Sequence, residues 1–266
     1  MKKLLAALLT LITFTASAAV VDTITVSSKY IDPEMRVVVI SPDNQIPGDR
    51  YPVVYLLHGH GGRYDDWVTR VPRIKDLADQ YRLMIVCPDG RNSWYFDSLH
   101  DPNMQMESFI TSDLIPYIDS NYPTYADPAH RAITGLSMGG HGSMWLALRH
   151  PELFGSMGSI SGGLDITPFP GKWNIAAALG PQEGNEDVWA SHSVINLIPD
   201  ATPGQNIIVD CGIDDFFAGV NENVHKALFE AKIPHDYYSR PGRHSWDYWR
   251  NAINYHLLYF NEVFNK

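Results

Sequence analysis

The sequence predicts an α/β fold, a mostly parallel sheet of about eight strands flanked by helices. Three observations carry that expectation. Short apolar runs recur at 23–28, 36–41, 52–58, 83–88, 131–136, 156–161, 206–210 and 235–239. Between the later runs lie segments whose apolar residues repeat at helical spacing, so strands and helices alternate. Finally, 45% of the 266 residues are hydrophobic and only 19% are charged, which suits one compact domain with a large core rather than a disordered chain.

The elements follow in chain order. Lys2 and Lys3 precede an apolar run that ends at Phe14, and Ala16-Ser17-Ala18 fits the small-x-small cleavage pattern. Residues 1–18 therefore read as a signal peptide, since the run is shorter than the roughly 20 apolar residues that span a bilayer. The mature chain, 19–266, is expected to be one secreted or periplasmic domain with no membrane insertion. The runs at 23–28 and 36–41 lie close together with no helix between them and should form an antiparallel entry to the sheet. Helices are expected at 64–81, 106–120, 138–149, 218–231 and 245–264. The segment 162–203 breaks the rhythm: it is long, rich in Pro and Gly, and holds Trp173 and Trp189. It reads as an insertion over the active-site face with one or two short helices. Cys87 and Cys211 end different strands; export would permit a disulfide, but they are expected to be buried free thiols, too few and too isolated for a zinc site. The formal net charge of −10 argues against nucleic acid as a partner, because phosphate binding needs clustered Lys and Arg. It argues likewise against docking on an anionic membrane.

The strongest chemical signal is Gly135-Leu136-Ser137-Met138-Gly139, a G-x-S-x-G motif after an apolar strand and before a helical pattern. Such a serine sits on a sharp strand-to-helix turn, and the two glycines let strand and helix approach. The turn lifts the hydroxyl clear of the sheet beside a helix N-terminus, whose dipole favours developing negative charge.

An acyl-transfer reaction also needs two donors aimed at the oxyanion. The N–H of Met138 is one candidate. The loop His58-Gly59-His60-Gly61-Gly62 after the third run supplies the other, with His60 preferred and Gly59 as the fallback. His58 reads as a prop for this loop rather than a metal ligand, because no third partner accompanies the two imidazoles.

A serine needs a base to take its proton. His225 and His256 fall within helical patterns facing away from the strand ends, and His235 begins a strand. His244, in the turn between the last strand and the last helix, lies at the sheet edge where Ser137 sits. The acid should follow the strand at 206–210, where Asp214 and Asp215 are adjacent and diverge. Asp215 is preferred, and Asp214 stays open as the alternative.

Taken together, LLHGHGG, CPDG followed by Ser93-Trp94-Tyr95, ESFITSDLIPYID, GLSMGGHG, DCGIDDFF and RPGRHSWDYW resemble the esterase family that includes esterase D (S-formylglutathione hydrolase), tributyrin esterases, and the feruloyl and acetylxylan esterases of carbohydrate esterase family 1. The resemblance covers nearly the whole mature chain. It implies an α/β-hydrolase fold and a serine esterase that needs no metal or organic cofactor. It also favours Asp215 as the acid and His60 as the second oxyanion donor. Asp113 stands where the family usually carries Glu.

Export argues against a cytosolic glutathione thioester as substrate. It favours acyl groups on plant polysaccharide, feruloyl or acetyl, or small diffusible esters. Trp94, Tyr95, Trp173 and Trp246 are the candidate substrate-binding aromatics. The other readings are acyl transfer to a sugar acceptor, S-formylglutathione hydrolase-like thioester cleavage, and a degenerate hydrolase that only binds carbohydrate.

Overall fold

The computed structural model describes residues 19–43 and 45–266, so the expected signal peptide lies outside the described residues. Eight strands form one sheet: β1 (Val20–Val26), β2 (Met35–Ser41), β3 (Val53–Leu57), β4 (Met84–Pro88), β5 (Arg131–Gly135), β6 (Ser156–Ile160), β7 (Asn206–Gly212) and β8 (Asp236–Arg240). Their order is β1-β2-β4-β3-β5-β6-β7-β8. The β1–β2 and β2–β4 pairs are antiparallel and every later pair is parallel. Each expected strand is present, and the antiparallel entry falls where the sequence put it.

Both faces of the sheet are covered. Val53, Tyr55 and Leu57 of β3 join one buried cluster, while Val54 and Leu56 join the other. That period of two sends alternate side chains to opposite faces, so a doubly covered strand reads as an unbroken apolar run.

The helices are α1 (Asp66–Arg70), α2 (Ile74–Tyr81), α3 (Met106–Ser108), α4 (Ile115–Asn121), α5 (Met138–Arg149), α6 (Ile175–Leu179), α7 (Glu186–Ser191), α8 (Ala218–Glu230) and α9 (Trp246–Phe264). Two expectations need correction. The single helix at 64–81 is broken between α1 and α2, where Val71 turns to φ −125°, ψ 72° ahead of Pro72. A residue before proline avoids helical geometry, and proline has no N–H to continue the ladder. The helix at 106–120 carries a π-helical segment, Phe109–Leu114, before Pro116 in the first turn of α4.

The segment 162–203 holds α6, α7 and a 3₁₀ segment, Val194–Asp200. Cys87 and Cys211 are free and buried, and burial pushes both thiols well above their ordinary range. Among the described residues no helix is long and apolar enough to cross a membrane.

Candidate active site

Ser137 sits between β5 and α5 with φ 57° and ψ −117°, a backbone conformation rarely adopted by a residue with a side chain. The turn is held at both ends. The Ser137 N–H donates to the Ile160 carbonyl at 2.9 Å, and the Gly139 N–H donates to the Leu136 carbonyl at 2.7 Å. The flanking glycines are steric requirements. A Cβ at Gly135 would lie 2.7 Å from the carbonyl carbon of Gly139, and one at Gly139 would lie 2.6 Å from the His58 carbonyl oxygen.

Two other strand-end loops meet this serine. The β8–α9 loop carries His244, whose Nε2 is 2.9 Å from the Ser137 hydroxyl. The β7–α8 loop carries Asp215, whose carboxylate oxygens lie 2.8 and 3.0 Å from His244 Nδ1. Asp215 is buried, and its Oδ1 also accepts the Phe217 N–H at 2.8 Å, which fixes the carboxylate's direction. This network assigns the proton of the neutral imidazole to Nδ1 and leaves Nε2 to accept from the serine. Asp214 points to solvent, and its N–H donates to the Gly242 carbonyl at 3.0 Å. The structure thus joins Ser137, His244 and Asp215 and leaves Asp214 outside.

The remaining late histidines are engaged elsewhere. His225 Nδ1 and His235 Nε2 lie 2.8 Å apart. His256, expected on a surface, is instead buried, with Nδ1 2.8 Å from the Thr134 hydroxyl.

The loop after β3 is braced by His58. Its Nε2 accepts the Gly90 N–H at 2.7 Å, which leaves Nδ1 to donate to the Gly59 carbonyl at 2.8 Å. The N–H groups of Gly59, His60 and Met138 meet no acceptor among the described residues. Gly59 and His60 line the same cleft as Ser137.

That cleft has a volume of about 600 Å³. Its walls include Trp173 and Trp246 but not Trp94 or Tyr95. Trp94 and Tyr95 are buried, and both adopt left-handed backbone angles (φ 57° and 65°) that turn their side chains inward. Trp94 donates its indole N–H to the Trp173 carbonyl at 2.9 Å, and the Tyr95 hydroxyl donates to the His58 carbonyl at 3.0 Å. The expectation that these two touch substrate is therefore corrected: they brace the loops around the cleft. Sequence reasoning missed Phe216, Trp249, Asp66 and Arg70, which also line it. Phe216 stood next to Asp215, and Trp249 one helical turn after Trp246, so adjacency to predicted site residues was the available signal.

A serine, an imidazole and a carboxylate joined on three strand-end loops of an eight-stranded, mostly parallel sheet define an α/β-hydrolase. The chain matches the family described as "Putative esterase" over residues 28–260 and belongs to that family. It is 27% identical over 223 residues to an acetyl esterase of Caldicellulosiruptor saccharolyticus, covering 78% of this chain and 82% of the relative. It is 28% identical over 235 residues to the S-formylglutathione hydrolase of Mus musculus, covering 78% and 81% of the two chains. A solved ferulic acid esterase superposes with a TM-score of 0.80 at 28% identity, covering 92% of this chain and 99% of that one. The protein is a carboxylic ester hydrolase of the α/β-hydrolase fold.

Proposed function

We propose that this ester hydrolase is an exported serine esterase that removes acyl groups, feruloyl or acetyl, from plant polysaccharide or from short-chain acyl esters. The observation that carries the catalytic reading is the continuous chain of contacts from Asp215 through His244 to Ser137, with separations of 2.8 and 2.9 Å. Ser137 attacks the ester carbonyl while His244 Nε2 accepts the hydroxyl proton. Asp215 keeps the proton of the neutral ring on Nδ1 and stabilises the imidazolium that forms. The N–H groups of Met138 and His60 receive the oxyanion, with Gly59 as the fallback donor. His244 then protonates the leaving alcohol, and water repeats the sequence to release the acid.

The acyl and sugar parts of the substrate are supported by the cleft itself. Trp173 and Phe216 form an aromatic wall, and Trp246 stands under the Arg70 guanidinium, 5.4 Å from it. Likeness to an acetyl esterase and a ferulic acid esterase points the same way.

Fluorophosphonate labelling located by mass spectrometry tests the nucleophile, and the expected adduct is on Ser137. A panel of p-nitrophenyl acetate, p-nitrophenyl butyrate, methyl ferulate, and acetylated and feruloylated xylan tests the substrate. No label on Ser137, or normal turnover by Ser137→Ala, would end the catalytic reading. Likeness to the mouse S-formylglutathione hydrolase supports a thioester as a second substrate. S-formylglutathione belongs in the same panel, and turnover of it above that of every oxygen ester would move the assignment.

A further inference from the structure

Asp210 lies on β7, five residues before Asp215, and is fully buried. Its Oδ1 accepts the Tyr248 hydroxyl, and its Oδ2 accepts from Arg240 Nη2. These partners flank His244 symmetrically. Arg240 ends β8, four residues before it, and Tyr248 lies in the first turn of α9, four residues after it. One carboxylate on the strand leading to Asp215 therefore grips both ends of the loop that carries His244.

The two loops also touch through their backbones. The Ile213 N–H donates to the Arg240 carbonyl at 2.9 Å, and the Asp214 N–H donates to the Gly242 carbonyl at 3.0 Å. The Tyr248 ring packs so closely on Gly242 that a Cβ there would lie 2.2 Å from its Cδ2. The Arg240 guanidinium in turn sits 4.1 Å from the centre of the Tyr255 ring.

This arrangement is a costly way to gain stability. Burial pushes the Asp210 carboxyl up to about 6 despite its two donors, and a buried ion pair often does no better than apolar packing of the same shape. Arg240 Nε and Nη1 are buried with no hydrogen-bond partner among the described residues. What the three groups do supply is a fixed spacing between two loops whose side chains must meet within hydrogen-bond distance.

We propose that Asp210, Arg240 and Tyr248 are positioning residues that set the register of His244 against Asp215 and Ser137. The inference rests on the catalytic reading of those three residues. Asp210, Arg240 and Tyr248 do not line the cleft, so their loss should slow turnover without weakening substrate binding. Misplacing a catalytic group by about 1 Å costs on the order of a hundredfold, so a partial loosening should cost about tenfold.

The test uses Tyr248→Phe, which deletes one hydroxyl, and Asp210→Asn, which keeps an acceptor for it. Each is assayed with p-nitrophenyl acetate well below its own melting temperature, and inactivation by a fluorophosphonate is followed against inhibitor concentration. For Tyr248→Phe, kcat and the limiting inactivation rate should fall roughly tenfold, with KM and the half-saturating inhibitor concentration within twofold. Asp210→Asn should lie between Tyr248→Phe and the parent if the Tyr248 contact is the larger part. Unchanged kcat and inactivation rate in Tyr248→Phe, whatever happens to its melting temperature, would overturn the proposal. So would a raised KM at normal kcat. If Tyr248→Phe does not fold, the same criteria apply to Asp210→Asn. Failure of the parent enzyme to label at Ser137 would instead remove the catalytic reading.

Discussion

Trp173 and Phe216 stack with their rings 18° apart and their centres 5.5 Å apart, which joins the segment 162–203 to the loop that carries Asp215. Phe216 also lies 4.2 Å from the His244 ring and is half exposed to the cleft. One aromatic side chain thus forms a wall of the cleft beside His244 and is held there from outside the sheet. An aromatic contact of this kind contributes about 0.5–1.5 kcal/mol beyond burial. Phe216→Ala should raise KM for methyl ferulate roughly five- to tenfold and leave that for p-nitrophenyl acetate within threefold. Steady-state kinetics on the two esters checks this, and equal effects on both would place the acyl group elsewhere.

The two adjacent carboxylates have opposite surroundings, and their variants should separate cleanly. Asp215 faces His244 Nδ1 from a buried position, whereas Asp214 is exposed. Asp215→Asn keeps the shape but replaces the acceptor that holds the proton on Nδ1, and kcat should fall about ten-thousandfold. Asp214→Asn should stay within twofold of the parent. Comparable losses in both, measured on p-nitrophenyl acetate, would mean that the loop's fold matters rather than the carboxylate.

How much of this was visible beforehand depended on what each residue's neighbours demand. The central strands were legible because both of their faces are covered, so short apolar runs had no competing reading. The first strand was expected at 23–28 and lies at Val20–Val26. It is the sheet edge and exposes most of its residues, so no burial pattern fixes its ends. Ser137 and His244 were legible because an elbow and a strand-end turn leave sequence marks. The choice of Asp215 over Asp214 leaned on the family resemblance, because adjacent side chains diverge and residue spacing alone does not set which one faces inward. Trp94 and Tyr95 failed for a related reason: aromatic composition is silent on which way a loop turns.

Two buried histidines predict a stability that fails in acid. Burial pushes His141 and His256 down to about 3, while an unfolded chain takes up those protons near 6.5. Their share of stability is therefore present above about pH 6.5 and is lost progressively as pH falls toward 3. At pH 5 the loss is roughly 2 kcal/mol for each. Asp210 works in the opposite sense: its raised carboxyl contributes most at low pH, and that contribution is lost as pH rises through about 6. His256→Gln keeps a polar group facing Thr134 but binds no proton. Its drop in melting temperature between about pH 7.5 and pH 5 should be smaller than the parent's by roughly 4–8 °C. Equal drops in the two proteins would assign the acid sensitivity to other groups.

The elbow itself stores strain that substitution should release. Ser137 is held at φ 57°, ψ −117°, and a side-chain-bearing residue in such a region costs about 1–3 kcal/mol. Alanine at this position keeps the Cβ and hence the strain, while glycine removes both. Glycine gives back about 0.5–1 kcal/mol through its greater freedom in the unfolded chain, which leaves a net gain of roughly 1 kcal/mol. Both variants lose the hydroxyl, so both should be inactive by at least about a thousandfold. Yet Ser137→Gly should melt a few degrees above Ser137→Ala, since about 1 kcal/mol corresponds to roughly 2–4 °C in a domain of this size. Calorimetry on the pair decides it. If Ser137→Ala melts at or above Ser137→Gly, the turn is not strained, and the hydroxyl is presented by contacts with β3 and β6 alone.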